Sequence, residues 1–158
     1  MSHTFYSSVI FVKNIEQARK FYSEVLDQEI EHDFGSNIMF KSRLSLWQIN
    51  EEHEISNIAG DPNEGNTFEL YFETNDIQKS SRKIKASEVK LPHDIKTEPW
   101  GQMTIRFFDV DGHLIEIGES MKVFILRIYN ETLSVKETST RTGVPVKTIR
   151  KIVTRKTH

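Results

Sequence analysis

The sequence contains no cysteine, which excludes a disulfide framework and thiolate chemistry. No apolar run approaches the length of a membrane span, so a soluble body is expected. The opening residues, Met1-Ser-His-Thr-Phe5, lack the basic and apolar regions of a signal peptide, and the expected location is the cytoplasm. Ser7 and Ser45 have no evident His–acid partner, so a serine nucleophile is not expected. Acidic residues are scarce only at one end. Residues 120–158 hold 2 Asp/Glu against 9 Lys/Arg, a net of +7, whereas residues 1–119 hold 21 Asp/Glu against 12 Lys/Arg, a net of −9. The overall charge of −2 conceals this division into an acidic body and a basic tail.

What is present begins with a hairpin pattern. Thr104–Phe108 is rich in β-branched and aromatic residues, Asp109-Val-Asp-Gly112 supplies a turn, and Leu114–Gly118 follows as a second strand. Strand alternation places Glu116 opposite in facing to Ile115 and Ile117. A carboxylate within so apolar a strand needs water or a partner, and Arg43 and Arg106 are the candidate partners.

Taken in order, Phe5–Val12 reads as a strand, and Asn14 with Gln17 as a capping box opening a helix to about Leu26. Short strands are expected at Glu29–Asp33, Asn37–Phe40 and Leu44–Ile49, with turns at Gly35 and Lys41-Ser42. Residues 50–66 read as a polar linker with a short helix near Ile55–Ile58. The order then repeats: a strand at Thr67–Glu73, a helix opened by Asp76 and running to about Ser87, weak strands at Val89–Leu91 and Ile95–Glu98, and the hairpin. A displacement of 62 residues sets Asp76-Ile-Gln on Asn14-Ile-Glu and Glu69 on Ser7, and the hairpin sets Glu116 on Ser45. Such a repeat predicts an α+β fold of two βαβββ units, about 4–50 and 66–119, forming a curled sheet with a central cleft in a domain of residues 1–119. A short helical tail occupies 120–158.

The first-helix stretch Asn14-Ile-Glu-Gln-Ala-Arg-Lys-Phe-Tyr22, the hairpin Phe108-Asp-Val-Asp-Gly-His-Leu-Ile-Glu-Ile117 and the two-unit order resemble the vicinal oxygen chelate superfamily. That superfamily includes glyoxalase I, bleomycin-resistance proteins, fosfomycin-resistance enzymes and extradiol dioxygenases. The resemblance spans roughly Phe5–Glu119, and Glu98-Pro-Trp-Gly101 is most similar to the bleomycin-resistance and glyoxalase-like branches. It implies a small-molecule cleft and a homodimer. In members with chemistry a divalent metal is held from the first and last strands of each unit, here Ser7, Ser45, Glu69 and Glu116. Such members usually carry His or Glu at three or four of these positions; this chain has carboxylates at two and serines at two. Oxygen ligands of this kind suit Mg²⁺ or Mn²⁺, with Ni²⁺ or Zn²⁺ as the softer candidates. Ring-cleaving dioxygenase chemistry is not expected. The implied function is a metal-dependent lyase, isomerase, transferase or resistance enzyme, with Glu116 as the catalytic candidate. The alternatives are a ligand-sequestering protein without chemistry and a DNA-binding regulator.

Candidate ligand contacts are Trp47, on the face of Ser45; Tyr71, on the face of Glu69; Trp100, in the Pro-Trp-Gly loop; and Arg106, suited to an anionic group or a carboxylate partner. His113 and His32 read as solvent-exposed turn residues, His53 as solvated among glutamates, and His3 as near the first strand.

In the tail, apolar Met121–Tyr129 predicts a buried helix, Ser134 and Glu137 a capping box, Gly143 a stop and Val146–Val153 a third helix bearing Lys147, Arg150 and Lys151. Helix, glycine turn and basic helix resemble a helix-turn-helix, which would make nucleic acid a partner. The reading preferred from sequence is a packing or dimerisation element whose basic face meets the acidic body.

Overall fold

A computed structural model describes residues 5–52, 64 and 69–154. The chain forms two compact units, one from its first part together with Phe108–His113, the other from Glu69–Phe107 together with Leu114 onward. His3, His53, the expected helix at 55–58 and the first residues of the expected strand at 67–73 lie outside the described residues.

In the first unit, β1 (Ser8–Phe11) is followed by α1 (Ile15–Lys20), then by β2 (Ile30–Asp33), β3 (Asn37–Phe40) and β4 (Leu44–Trp47). The sheet order is β1-β4-β3-β2, with β1 parallel to β4 and the other pairs antiparallel. Asn14 caps α1 by accepting from the Gln17 amide at 2.9 Å. The helix widens into a π-helical turn over Phe21–Val25, where the Leu26 amide reaches back five residues to the Phe21 carbonyl. Ala18, Phe21 and Tyr22 are thereby buried with Ile38, Phe40 and Leu46 as the unit's core.

The second unit repeats the plan. It comprises β5 (Leu70–Thr74), α2 (Ile77–Ala86), β6 (Lys96–Thr97), β7 (Met103–Phe108) and β8 (Leu114–Glu119), in the order β5-β8-β7-β6 with β5 parallel to β8. Asp76 caps α2 through the Lys79 amide. Ile77, Ser81 and Ile84 form its buried stripe at helical spacing. The fold is therefore α+β, two mixed four-stranded sheets built as βαβββ units, each sheet open at both edges. The expected strand at Val89–Leu91 does not form. The helix ends at Ala86, Glu88 takes a left-handed backbone at φ 58°, and residues 89–91 form no strand before β6.

Three helices follow among the described residues, α3 (Met121–Thr132), α4 (Val135–Thr142) and α5 (Val146–Thr154). Ser134 caps α4 through the Glu137 amide, and Gly143 ends it at φ 72°. Among the described residues, no helix is long and apolar enough to cross a membrane.

Candidate functional site

Both units place the repeat in the same register. In the first, Val9 lies beside Ser45; in the second, Tyr71 lies beside Glu116. These are the pairs the sequence displacement sets upon one another. Glu69, just before β5, and the β5 residues Tyr71 and Glu73 are exposed and alternate with the half-buried Leu70, Phe72 and Thr74, so they share one face. Gly118, beside Glu73, gives Tyr71 room: a Cβ there would stand 2.8 Å from the tyrosine hydroxyl.

Glu116 is only 4% exposed, and its partner is Arg106 of β7. The guanidinium also lies 2.7 Å from Glu98 Oε1 and 3.4 Å from Glu69 Oε2. Thr104 Oγ1 donates to the same Glu98 oxygen at 2.8 Å. One cation thus bridges three carboxylates and leaves the cluster with surplus negative charge. The groups respond differently. Glu98 is held below the ordinary carboxylate range by its hydrogen bond from Arg106. Glu116 is pushed above it by burial, with Glu69 and Glu98 adding to the rise and Arg106 opposing it.

A second network adjoins Tyr71. Gln102 Nε2 donates to the Tyr71 hydroxyl at 3.0 Å and to the Glu119 carbonyl at 2.7 Å, while its Oε1 accepts from the Trp100 indole at 3.0 Å. Tyr71 and Trp100 remain 47% and 44% exposed, so part of each side chain is in contact with solvent. Arg127 of α3 grips the buried Glu119 with two nitrogens, at 2.9 and 2.6 Å, and also donates to the Gly101 carbonyl. It fastens the loop that carries Trp100.

The remaining candidates lie in the first unit. Ser45 is buried within β4 and Ser7 is partly buried just before β1. Trp47 is half-buried, with its ring 5.9 Å from Phe11. Arg43 pairs with Glu31 and lies over Tyr6, so in its own unit it serves other groups. His32 is exposed and stacks on Phe34, as expected.

The expectation for His113 is corrected. It is buried, and its Nδ1 lies 2.9 Å from Asp109 Oδ2, which also accepts from the Tyr22 hydroxyl at 2.8 Å. Asp109 Oδ1 accepts from the amides of Asp111 and His113, and Asp111 accepts from the Lys13 amide. The Asp-Val-Asp-Gly-His sequence is thus a folded polar core, with Gly112 at φ 95° making the turn.

The sequence reading therefore brought together Glu69, Tyr71, Arg106 and Glu116 and missed Glu98, Gln102, Glu119 and Arg127. The alternation of Thr104 and Arg106 within β7 marks a polar face that needs an acid. A lone arginine in the apolar run of α3 was the signal for Arg127.

A family model, the glyoxalase-like domain, matches residues 5–122, and the chain belongs to that family within the vicinal oxygen chelate superfamily. A protein of unknown function from Agrobacterium tumefaciens is 32% identical, with a TM-score of 0.68 over 77% of this chain and 97% of its own. A lactoylglutathione lyase from the same organism shares the fold at 20% identity and a TM-score of 0.57, covering 76% of this chain and 96% of its own. A fosfomycin resistance protein from Listeria monocytogenes does so at 17% and 0.57, covering 77% and 96%. No curated protein matches.

The superfamily typically binds divalent metals. The residues of the second unit do not fit one as they stand, because Arg106 already bridges Glu69 and Glu116. Among the described residues no group of three or more His, Asp or Glu is arranged to hold an ion.

Proposed function

We propose that the protein binds and sequesters a cationic, aromatic small molecule on the acidic face of the second unit, acting in the cytoplasm as a homodimer. The observation that carries this reading is the bridging of Glu69, Glu98 and Glu116 by Arg106. Arg106 sets a protein cation on Glu69 and Glu116, the two carboxylates at positions where the resemblance would put a metal, and leaves surplus negative charge beside the exposed Tyr71. A planar organic cation would stack on Tyr71 or Trp100 and be held by the carboxylates. Calorimetric titration with planar organic cations and their neutral isosteres tests this. The cations bind, and Tyr71→Ala weakens them about tenfold, in line with an aromatic–cation contact of roughly 1–2 kcal/mol. Equal binding of the neutral isosteres, or no binding in either series, rejects the proposal. Light scattering tests the dimer.

A second reading, a divalent-metal-dependent lyase, isomerase or transferase, draws on the raised affinity of Glu116 for a proton next to two other carboxylates. A stoichiometric ion, Mg²⁺, Mn²⁺, Ni²⁺ or Zn²⁺, present in protein purified without chelator and lost in Glu116→Gln, would replace the sequestration reading with this one.

A further inference from the structure

The three C-terminal helices have a core of their own. Phe124, Ile125 and Ile128 of α3 and Ile149 of α5 form a buried cluster, and Val135 of α4, Val144 of the turn, and Ile152 and Val153 of α5 pack against it. The family match ends at residue 122, so almost all of this bundle lies beyond the glyoxalase-like domain. The step from α4 to α5 is a three-residue turn, Gly143-Val144-Pro145. Gly143 is left-handed, and Ser139 Oγ donates to the Val144 carbonyl at 2.7 Å. The Thr148 and Ile149 amides donate to the Pro145 carbonyl, starting α5 immediately. Thr138 and Thr142 are buried along α4, so its inner face is spent on the bundle.

What α5 leaves outside is uniform. Lys147, Thr148, Arg150, Lys151 and Thr154 are all exposed, while Ile149 is fully buried and Val146, Ile152 and Val153 are partly buried. The sequence-based preference was for this basic face to meet acidic residues of the body. Among the described residues, no carboxylate lies within ion-pair distance of Lys147, Arg150 or Lys151. Arg141 of α4, by contrast, pairs with Glu131. Among the described residues, the cations of α5 are therefore available to a partner. The apolar side of α5 is consumed by the bundle, so α5 does not have a free apolar face with which to lie in a membrane interface as an amphipathic helix. A helix held by a bundle and tight turn, with short threonines interleaved among long cations, fits the major groove. In such a groove the cations would meet phosphates and Thr148 would face base edges.

We infer that α3–α5 form a helix-turn-helix unit that binds duplex DNA with α5 in the major groove. The inference is independent of the ligand assigned to the second unit, so either can fail alone. Two protomers would bring about six α5 cations to one duplex, giving a slope of log Kobs against log salt of roughly −5.

The test is fluorescence anisotropy of the full chain with a labelled random-sequence duplex pool between 50 and 200 mM salt, followed by selection of the bound fraction. The expected result is salt-sensitive binding, enrichment of particular sequences, and at least a tenfold loss in the K147A/R150A/K151A variant. These three side chains are outside the core, and unchanged circular dichroism and melting temperature verify that the variant is folded. Absence of duplex binding at 50 mM salt overturns the inference. So does binding that the triple variant leaves unchanged, or equal affinity for heparin or single-stranded RNA without sequence enrichment.

Discussion

At equivalent places in the two sheets, Ser45 sits between Val9 and Met39, and Glu116 sits between Tyr71 and the guanidinium of Arg106. The backbone registers are the same. In the first unit the position is a small buried hydroxyl with apolar neighbours. In the second it is a buried carboxylate held by a cation that also serves Glu69 and Glu98. The comparison teaches that repetition of a supersecondary unit fixes the address of a side chain but not its chemistry. A charge at that address persists only where a neighbouring strand supplies the opposite charge.

The comparison breaks most directly by moving the charge. Ser45→Glu places a carboxylate in the first unit with Met39, itself buried, as its cross-strand neighbour. An uncompensated buried charge of this kind costs on the order of 4 kcal/mol, read as a shift in the urea midpoint at pH 7. Adding Met39→Arg recovers a measurable part of the loss. If the double variant is no more stable than the single one, position rather than pairing governs the difference.

The next effect is the reverse operation. Arg106→Ala leaves Glu69, Glu98 and Glu116 facing one another and destabilises the chain by about 3 kcal/mol at pH 7, read from the same denaturation curve. Lowering the pH until Glu116 and then Glu98 take up protons recovers part of that loss.

The smallest effect is in pH dependence, and it separates two glutamates of one cluster. The Glu116 carboxyl is raised in the folded state, so folding favours its protonated form; its cost is absent below the unfolded value and grows as pH rises through the folded one. Glu98 is lowered, so its contribution is present above the unfolded value and is lost as pH falls through the folded one. Stability measured from pH 3 to 7 therefore loses a declining component in Glu116→Gln and a rising component in Glu98→Gln. Identical profiles for the two variants would show that the cluster titrates as one group.

Much of the fold was legible because the signals were local. Asn14, Asp76 and Ser134 each cap a helix through the amide three residues on, and apolar spacing set the buried stripes. The repeat located Glu69, Tyr71 and Glu116 by counting alone. The strand expected at Val89–Leu91 failed because a short apolar run carries little information about pairing, which depends on an adjacent edge. His113 was misread for a related reason. Its neighbours in sequence are turn residues, but Tyr22, 91 positions away, shares Asp109 with it and the cluster is closed to water.

The sequence by itself determined the two-unit plan, the helix ends, the turn at Gly112 and the division between an acidic body and a basic tail, because caps, periodicity and charge act over a few residues. Only the tertiary structure decided that Arg106 serves three carboxylates, that Arg127 clamps Glu119, and that no carboxylate among the described residues pairs with Lys147, Arg150 or Lys151. Those outcomes depend on which distant side chains share a low-dielectric space, and separation along the chain carries no record of that.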